Sequence, residues 1–85
     1  MSKYDPLYNY LTKIPSDVSE KTLTFDEIEE IINDKLPPSA YNNRMWWGTM
    51  PKVEKRSQSK AWLKAGWKVA KAKLPEKWAL FQRLV

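Results

Sequence analysis

Residues 21–40, KTLTFDEIEEIINDKLPPSA, contain the signals that decide the fold. The first four residues form a short β-type stretch. Thr24 and Glu27 then match a capping box, in which each side chain can bond to the backbone amide of the other residue. Apolar residues follow at helical spacing, which predicts an amphipathic helix from Phe25 to about Asn33. Its outward face consists of carboxylates that complement the positive helix N-terminus: Asp26, Glu27, Glu29 and Glu30.

A proline turn at residues 36–38 ends this helix, and a further helix is predicted after it. Ser39 is a favourable N-cap, the helix runs over residues 39–47, and Gly48 is suited to end it. Two helices joined by a tight turn can present the second helix to the major groove of DNA.

Downstream, the pattern predicts a short helix and then a β-hairpin. Ser59 can cap a helix that ends at Gly66, and strands begin at Trp67 and at Trp78, joined by a proline-containing turn. A single helix over residues 59–74 is the competing interpretation. Because a mid-helix glycine costs about 1 kcal/mol relative to alanine, the helix–glycine–hairpin order is preferred.

Together with a first helix over residues 4–12, these elements predict one α+β domain spanning residues 1–85. We expect a small winged helix-turn-helix-like fold, with three to four short helices, a short N-terminal strand and a C-terminal β-hairpin. A chain of 85 residues has room for one core.

Composition excludes several classes of function. The chain contains no cysteine and no histidine, which excludes disulfide frameworks, Cys/His zinc sites and Cys–His or Ser–His nucleophiles. The acidic helix face has no accompanying ligand of another type, so a solvated surface is the expected interpretation. No catalytic residue, metal ligand or cofactor is predicted. No apolar run is long enough to span a bilayer and no signal peptide is recognised, so we expect a cytoplasmic protein without membrane contact.

Charge is divided unevenly along the chain. Residues 1–35 carry four basic and eight acidic groups, a net charge of −4, whereas residues 36–85 carry eleven basic and two acidic groups, a net charge of +9. A dense positive half attracts polyanions such as nucleic acids. A solvated lysine-rich surface is the alternative.

The predicted nucleic-acid contacts combine base-reading side chains on helix 39–47 with cations elsewhere in the C-terminal half. Asn42 and Asn43 suit adenine and Arg44 suits guanine, unless this side of the helix merely faces solvent. The complete set is Ser39, Tyr41, Asn42, Asn43, Arg44, Lys52, Lys55, Arg56, Lys60, Lys64, Lys71, Lys73 and Lys77.

Five tryptophans indicate a packed, ordered core. Trp46, Trp47, Trp62 and Trp67 are expected to pack in it, with a base-stacking platform as the alternative. Adjacent helical positions point about 100° apart. We therefore expect one of Trp46 and Trp47 to be less buried than the other.

Several stretches resemble a family of small, poorly characterised prokaryotic and phage domains. They are KYDPLYNYL at 3–11, LTFDEIEEI at 23–31, LPPSA at 36–40, the tryptophan pair at 46–47 and AWLKAGWKV at 61–69. The resemblance implies a winged-helix architecture. Because such domains occur beside mobile-element and restriction-type genes, it also implies work on nucleic acids.

The expected function is non-catalytic binding of DNA, with a duplex favoured, by a transcriptional or mobile-element accessory factor. A phage- or host-encoded inhibitor that docks on a nucleic-acid-processing or defence enzyme is the main alternative, because a two-sided charge distribution suits protein contacts. A homodimeric structural module is a third interpretation, and the oligomeric state stays open.

Overall fold

The computed structural model describes residues 3–48 and 57–84, which form a small α+β domain. The predicted fold class is confirmed, since four short helices accompany a three-stranded antiparallel sheet in an arrangement compatible with a winged-helix-like fold. No helix in this part of the chain is long and apolar enough to cross a bilayer. The elements in order are α1 (Asp5–Thr12), β1 (Glu20–Thr24), α2 (Phe25–Ile32), α3 (Pro38–Asn42), a 3₁₀ helix (Arg44–Trp47), α4 (Ser57–Lys64), β2 (Trp67–Lys73) and β3 (Trp78–Arg83).

The sheet has the strand order β1–β3–β2, so the last strand in the sequence lies in the centre. Both neighbours pair with β3 in antiparallel fashion, and Ala79 lies between Leu23 of β1 and Ala72 of β2. All three of these side chains are buried, which identifies the face that packs on the helices.

Helix α2 begins where the sequence predicted, and it ends before the proline turn is reached. The amide of Glu27 donates to Oγ1 of Thr24 at 3.1 Å, and the amide of Thr24 donates to Oε1 of Glu27 at 2.8 Å. The capping box is therefore formed. Asn33, with φ of 54°, ends the helix in the left-handed conformation that asparagine tolerates better than most residues.

The predicted continuous helix over residues 39–47 is wrong. The segment forms the five-residue α3 and the 3₁₀ helix, separated at Asn43, whose φ of −130° and ψ of 109° are extended. Oδ1 of Asn43 accepts from the amide of Met45 at 2.9 Å, so this side chain caps the second piece instead of continuing the first. Ser39 is not an N-cap, because Pro37 holds that position and α3 begins at Pro38.

The helix–glycine–hairpin order is confirmed for the C-terminal part. Helix α4 begins at Ser57, and Ser59 is a fully buried member of the helix, not its cap. The hydroxyl of Ser59 donates to the carbonyl of Gly48 at 3.4 Å. Gly66 has φ of +88°, a conformation that favours glycine, and it ends the helix before β2.

A column of aromatic rings fills the space between sheet and helices. Trp47 stacks on Phe25 and on Trp62, with ring centroids 5.0 and 5.9 Å apart, and Trp46 meets Trp47 edge-on at 4.7 Å. The prediction that tryptophans build the core is confirmed for Trp46, Trp47, Trp62 and Trp67, whereas Trp78 is partly exposed. Both Trp46 and Trp47 are buried, with Trp46 slightly less so (8% exposed against 2%), and the expected difference is small because Trp46 also packs edge-on against Tyr4.

Candidate nucleic-acid interface

The outer face of the sheet, opposite the helices, carries a row of lysines along strand β2. Cross-strand partners point to the same face of a sheet. Lys68 is paired with Gln82, Lys71 with Leu80, and Lys73 with Trp78. These β3 residues alternate with the buried Ala79 and Phe81, so they point outward. We call Lys68, Lys71 and Lys73 the lysine row.

An extra residue in β2 brings the lysine row onto one face. The register shifts between Val69 and Lys71, which leaves Ala70 without a partner of its own and makes it a bulge. In a regular strand Lys71 and Lys73 would share the inward direction of Trp67 and Val69. The bulge instead turns Ala72 into the core and both lysines outward, which explains the imperfect alternation of this segment.

Arg44 of the 3₁₀ helix lies beside the same strand. A shallow depression of about 230 Å³ is lined by Arg44, Ala70, Lys71, Ala72 and Lys73. Three predicted contact residues, Arg44, Lys71 and Lys73, are therefore brought together, although 27 positions separate Arg44 from Lys71 in the sequence. We call this the Arg44 depression.

The side chains of the 39–47 segment divide between structural and exposed positions. Ser39, Asn42 and Asn43 are exposed, and so is Arg44, so the acidic helix α2 does not cover them. Tyr41 differs, because its hydroxyl donates to Oε2 of Glu29 on α2 at 2.7 Å. Because the Tyr41 hydroxyl already donates its hydrogen bond to Glu29, it is less suited to contact nucleic acid than the exposed side chains of this segment.

The Tyr41–Glu29 contact changes the pKa of both groups. Burial and then the hydrogen bond to Glu29 raise the pKa of Tyr41 to about 12. Glu29 accepts from the amide of Leu36 at 2.8 Å as well as from Tyr41, and these hydrogen bonds lower its pKa below the ordinary value. The carboxylate therefore fixes the turn between α2 and α3.

The other predicted cations occupy separate positions. Lys60 and Lys64 are exposed one turn apart on α4, the helix that directly precedes the hairpin. Lys77 is exposed at the hairpin turn with φ of 61°, and its carbonyl accepts from the amide of Phe25 at 2.9 Å. None of these three lysines lines the Arg44 depression. Lys52, Lys55 and Arg56 lie outside the described residues.

Two outward residues of the hairpin, Lys68 and Trp78, were missing from the predicted site. Lys68 belongs to the lysine row, and Trp78 lies on the same face of β3 and is partly exposed. Alternation within β3, with Ala79 and Phe81 facing inward, is the sequence signal that identifies Trp78 as outward. No comparable signal existed for Lys68, because its relation to Lys71 depends on the bulge.

Negative charge gathers on helix α2 and the residues after it. A second depression there is lined by Asp26, Glu29, Glu30, Asn33, Asp34 and Lys35. Asp34 also pairs with Lys3, at 3.7 Å between the carboxylate and Nζ. Opposite charges are thus concentrated on different elements.

Comparison with known proteins identifies a family that has no assigned function. A family model described as a domain of unknown function (DUF7662) matches residues 4–83. No curated protein and no solved structure matches the chain. The match confirms the part of the resemblance that concerns an uncharacterised family of small domains.

Proposed function

The chain belongs to this family of unknown function, and we propose that it is a non-catalytic DNA-binding domain, acting as a transcriptional or mobile-element accessory factor. The observation that carries the proposal is the clustering of the lysine row with Arg44 around one strand. Several cations on one surface attract phosphates far more strongly than the same cations would separately, because each contact releases condensed counterions.

The proposed arrangement uses different residues for affinity and for sequence recognition. The lysine row contacts phosphates, which positions the duplex without reading its sequence. Lys60 and Lys64 lie on α4, which packs on the other face of the sheet through Trp62 and Phe81, so they are outside this contact. Arg44 and Asn42, both exposed in the 39–47 segment, reach base edges in the major groove. Asn43 has a smaller part, since one of its side-chain atoms caps the 3₁₀ helix.

The salt dependence of binding tests the electrostatic part of the proposal. With the three phosphate contacts of the lysine row, raising the salt from about 50 to about 200 mM weakens duplex binding about fortyfold, and each further contact steepens this dependence. Fluorescence anisotropy with a labelled duplex measures this slope. Binding without a salt slope would contradict the mechanism.

A pair of charge-matched variants tests the location of the contacts. Replacing Lys68, Lys71 and Lys73 together by glutamine reduces the slope of log affinity against log salt by roughly 2.7. The control replaces Lys13, Lys21 and Lys35 by glutamine, which removes the same charge from outside the proposed surface. An equal loss in both variants would assign the effect to net charge alone.

Arg44→Ala tests base recognition on a duplex enriched from a random pool. If Arg44 reads a guanine, this variant loses discrimination between the enriched and scrambled duplexes while binding to the scrambled duplex changes little. Unchanged discrimination would remove Arg44 from the recognition role.

The acidic depression on α2 favours a second candidate, an inhibitor encoded by a phage or a host that docks on a nucleic-acid-processing or defence enzyme. Carboxylates concentrated on one helix and cations on one strand suit a partner with a complementary charge pattern. Co-purification with such an enzyme, together with negligible duplex binding at low salt, would favour this candidate over DNA binding.

A further inference from the structure

The outer face of the sheet carries a tryptophan that the core does not use. The chain has five tryptophans, all within the described residues, and four of them have at most 8% of their side chain exposed. Trp78, in the central strand, is partly exposed. Its indole nitrogen donates to Oε2 of Glu76 at 2.9 Å.

On the two strands next to β3, the residues beside Trp78 are a lysine and a threonine. Lys73 of β2 and Thr24 of β1 are its direct partners across the sheet. The next residue of β3 on this outer face is Leu80, which is partly exposed and lies between Lys71 of β2 and Thr22 of β1. An aromatic and an aliphatic side chain therefore form a central apolar strip between lysines on one edge and threonines on the other.

We propose that this face binds unpaired nucleotides, with a base stacked on Trp78 and the phosphates held by the lysine row. The inference rests on the proposed function, because the same lysine row holds the phosphates, and it adds unpaired strands to the duplex as nucleic acids that this surface accepts. Base–aromatic stacking next to a positively charged track is how proteins hold single strands, and it tolerates any base because every base has a π-face.

The chemistry of the face favours unpaired bases over the other occupants. In a duplex, each base is covered on both sides by its neighbours, so a ring on a protein surface cannot stack on it unless the base leaves the helix. A second copy of the chain, packed symmetrically through the same face, would bring two lysine rows together. Glu20 and Glu76, which accept from Gln82 and Trp78 on this face, supply two carboxylates against three lysines in each copy, so the positive charge would not be fully compensated. A strand of phosphates supplies the charge that this surface lacks.

Tryptophan emission provides a test on the wild-type protein. Because the other four rings are buried, a thymidine oligonucleotide that stacks on Trp78 changes the emission and shields it from a soluble quencher such as acrylamide. We expect both effects in the wild type and neither in Trp78→Phe, which keeps an aromatic ring. An oligonucleotide that binds without changing emission or quencher access would overturn the inference.

Affinity measurements on variants separate the inference from the proposed function. Trp78→Leu keeps an apolar side chain but has no π-face, so we expect it to lose about tenfold or more in affinity for the oligonucleotide. Its duplex affinity and salt slope stay close to those of the wild type, and Trp78→Phe recovers most of the single-strand affinity.

The outcomes distinguish the two claims. If Trp78→Leu binds the oligonucleotide as tightly as the wild type, while the lysine-row variant loses duplex binding, the inference is wrong and the proposed function stands. If the wild-type protein binds neither single strands nor duplexes at low salt, both are wrong.

Discussion

At the scale of single residues, the guanidinium of Arg83 joins the end of β3 to the loop that follows α1. Its Nε donates to the carbonyl of Val18 at 2.9 Å, and its Nη2 donates to those of Pro15 and Ile14 at 2.9 and 3.3 Å. The guanidinium carbon also lies 4.3 Å from the centre of the Trp67 ring. One planar group therefore ties together three parts of the chain that are distant in sequence.

Replacing Arg83 by lysine tests this role. A lysine ammonium cannot reproduce the planar fork or its stacking on Trp67, so we expect Arg83→Lys to lower the free energy of unfolding by about 1–3 kcal/mol. Urea denaturation measures the loss. The control is Arg44→Lys at an exposed site, for which we expect a change within about 0.5 kcal/mol. Equal effects of the two substitutions would contradict the role of Arg83.

The hydrogen bond between Glu29 and Tyr41 predicts how the pKa of Tyr41 responds to substitution of Glu29. Burial is the larger cause of the raised pKa of Tyr41 and the hydrogen bond to Glu29 the next. We therefore expect Glu29→Gln to lower the pKa of Tyr41 from about 12 while leaving it above the ordinary value of 10.0. Ultraviolet titration, with Tyr41→Phe to assign the signal, measures this change.

The same substitution has a defined effect on the pH dependence of stability. Since the pKa of Glu29 is lowered in the folded state, its contribution is present above its unfolded value of 4.5 and is lost as the pH falls through the folded pKa. The difference in unfolding free energy between wild type and Glu29→Gln should thus be larger at about pH 7 than at about pH 3. A difference that stays constant between these pH values would contradict the assignment.

At the scale of elements, the aromatic column contains two tryptophans whose indole nitrogens differ in whether they form a hydrogen bond. Nε1 of Trp47 donates to the carbonyl of Ala40 at 2.8 Å. Nε1 of Trp62 is buried without a hydrogen-bond partner among the described residues. Both rings stack in the same column, so the pair forms a matched comparison.

We expect Trp47→Phe to destabilise the fold more than Trp62→Phe. Both changes reduce ring size in the core, but the first also leaves a buried carbonyl without its donor, at a further cost of about 1–2 kcal/mol. Paired urea denaturation curves give the difference. Equal destabilisation would mean that the Trp47 hydrogen bond contributes nothing.

The bulge in β2 predicts which single residue can be deleted from this strand without loss of the fold. Deleting Ala70 leaves Val69, Lys71 and Ala72 with their present partners in a regular ladder, so we expect a folded protein that still unfolds cooperatively. Deleting Ala72 instead directs Lys73 toward the core position beside Ala79, and we expect cooperative unfolding to be lost. Near-ultraviolet circular dichroism and urea denaturation distinguish these results.

At the scale of the whole molecule, the elements that the sequence predicted are those with local signals. The capping box at Thr24 and Glu27 and the glycine at position 66 act within a few residues of where they stand, and both were predicted correctly. Features missed or misjudged depend on distant contacts. The burial of Trp46 involves Tyr4, and the three carbonyls that accept hydrogen bonds from the Arg83 side chain lie at least 65 positions away.

The candidate site also combines features that local sequence signals reveal with features that depend on distant contacts. Composition alone revealed a basic C-terminal half, but it could not show that Arg44 lies against β2 or that Tyr41 is occupied by Glu29. The bulge at Ala70 depends on how well Ala72 fits against the core, which no local pattern encodes. Identifying cations was therefore possible from the sequence, whereas assigning them to a surface required the tertiary structure.

The central position of β3 has a consequence for how the protein matures on the ribosome. Strands β1 and β2 each pair with β3, which is synthesised after both of them. While the nascent chain still lacks residues 78–83, neither β1 nor β2 has the strand with which it pairs. The backbone carbonyls that accept from the Arg83 side chain also lack their donor at this stage. Translation must therefore pass residue 83 before the whole sheet can assemble, and a premature stop codon ahead of Trp78 would yield a chain that cannot form this sheet.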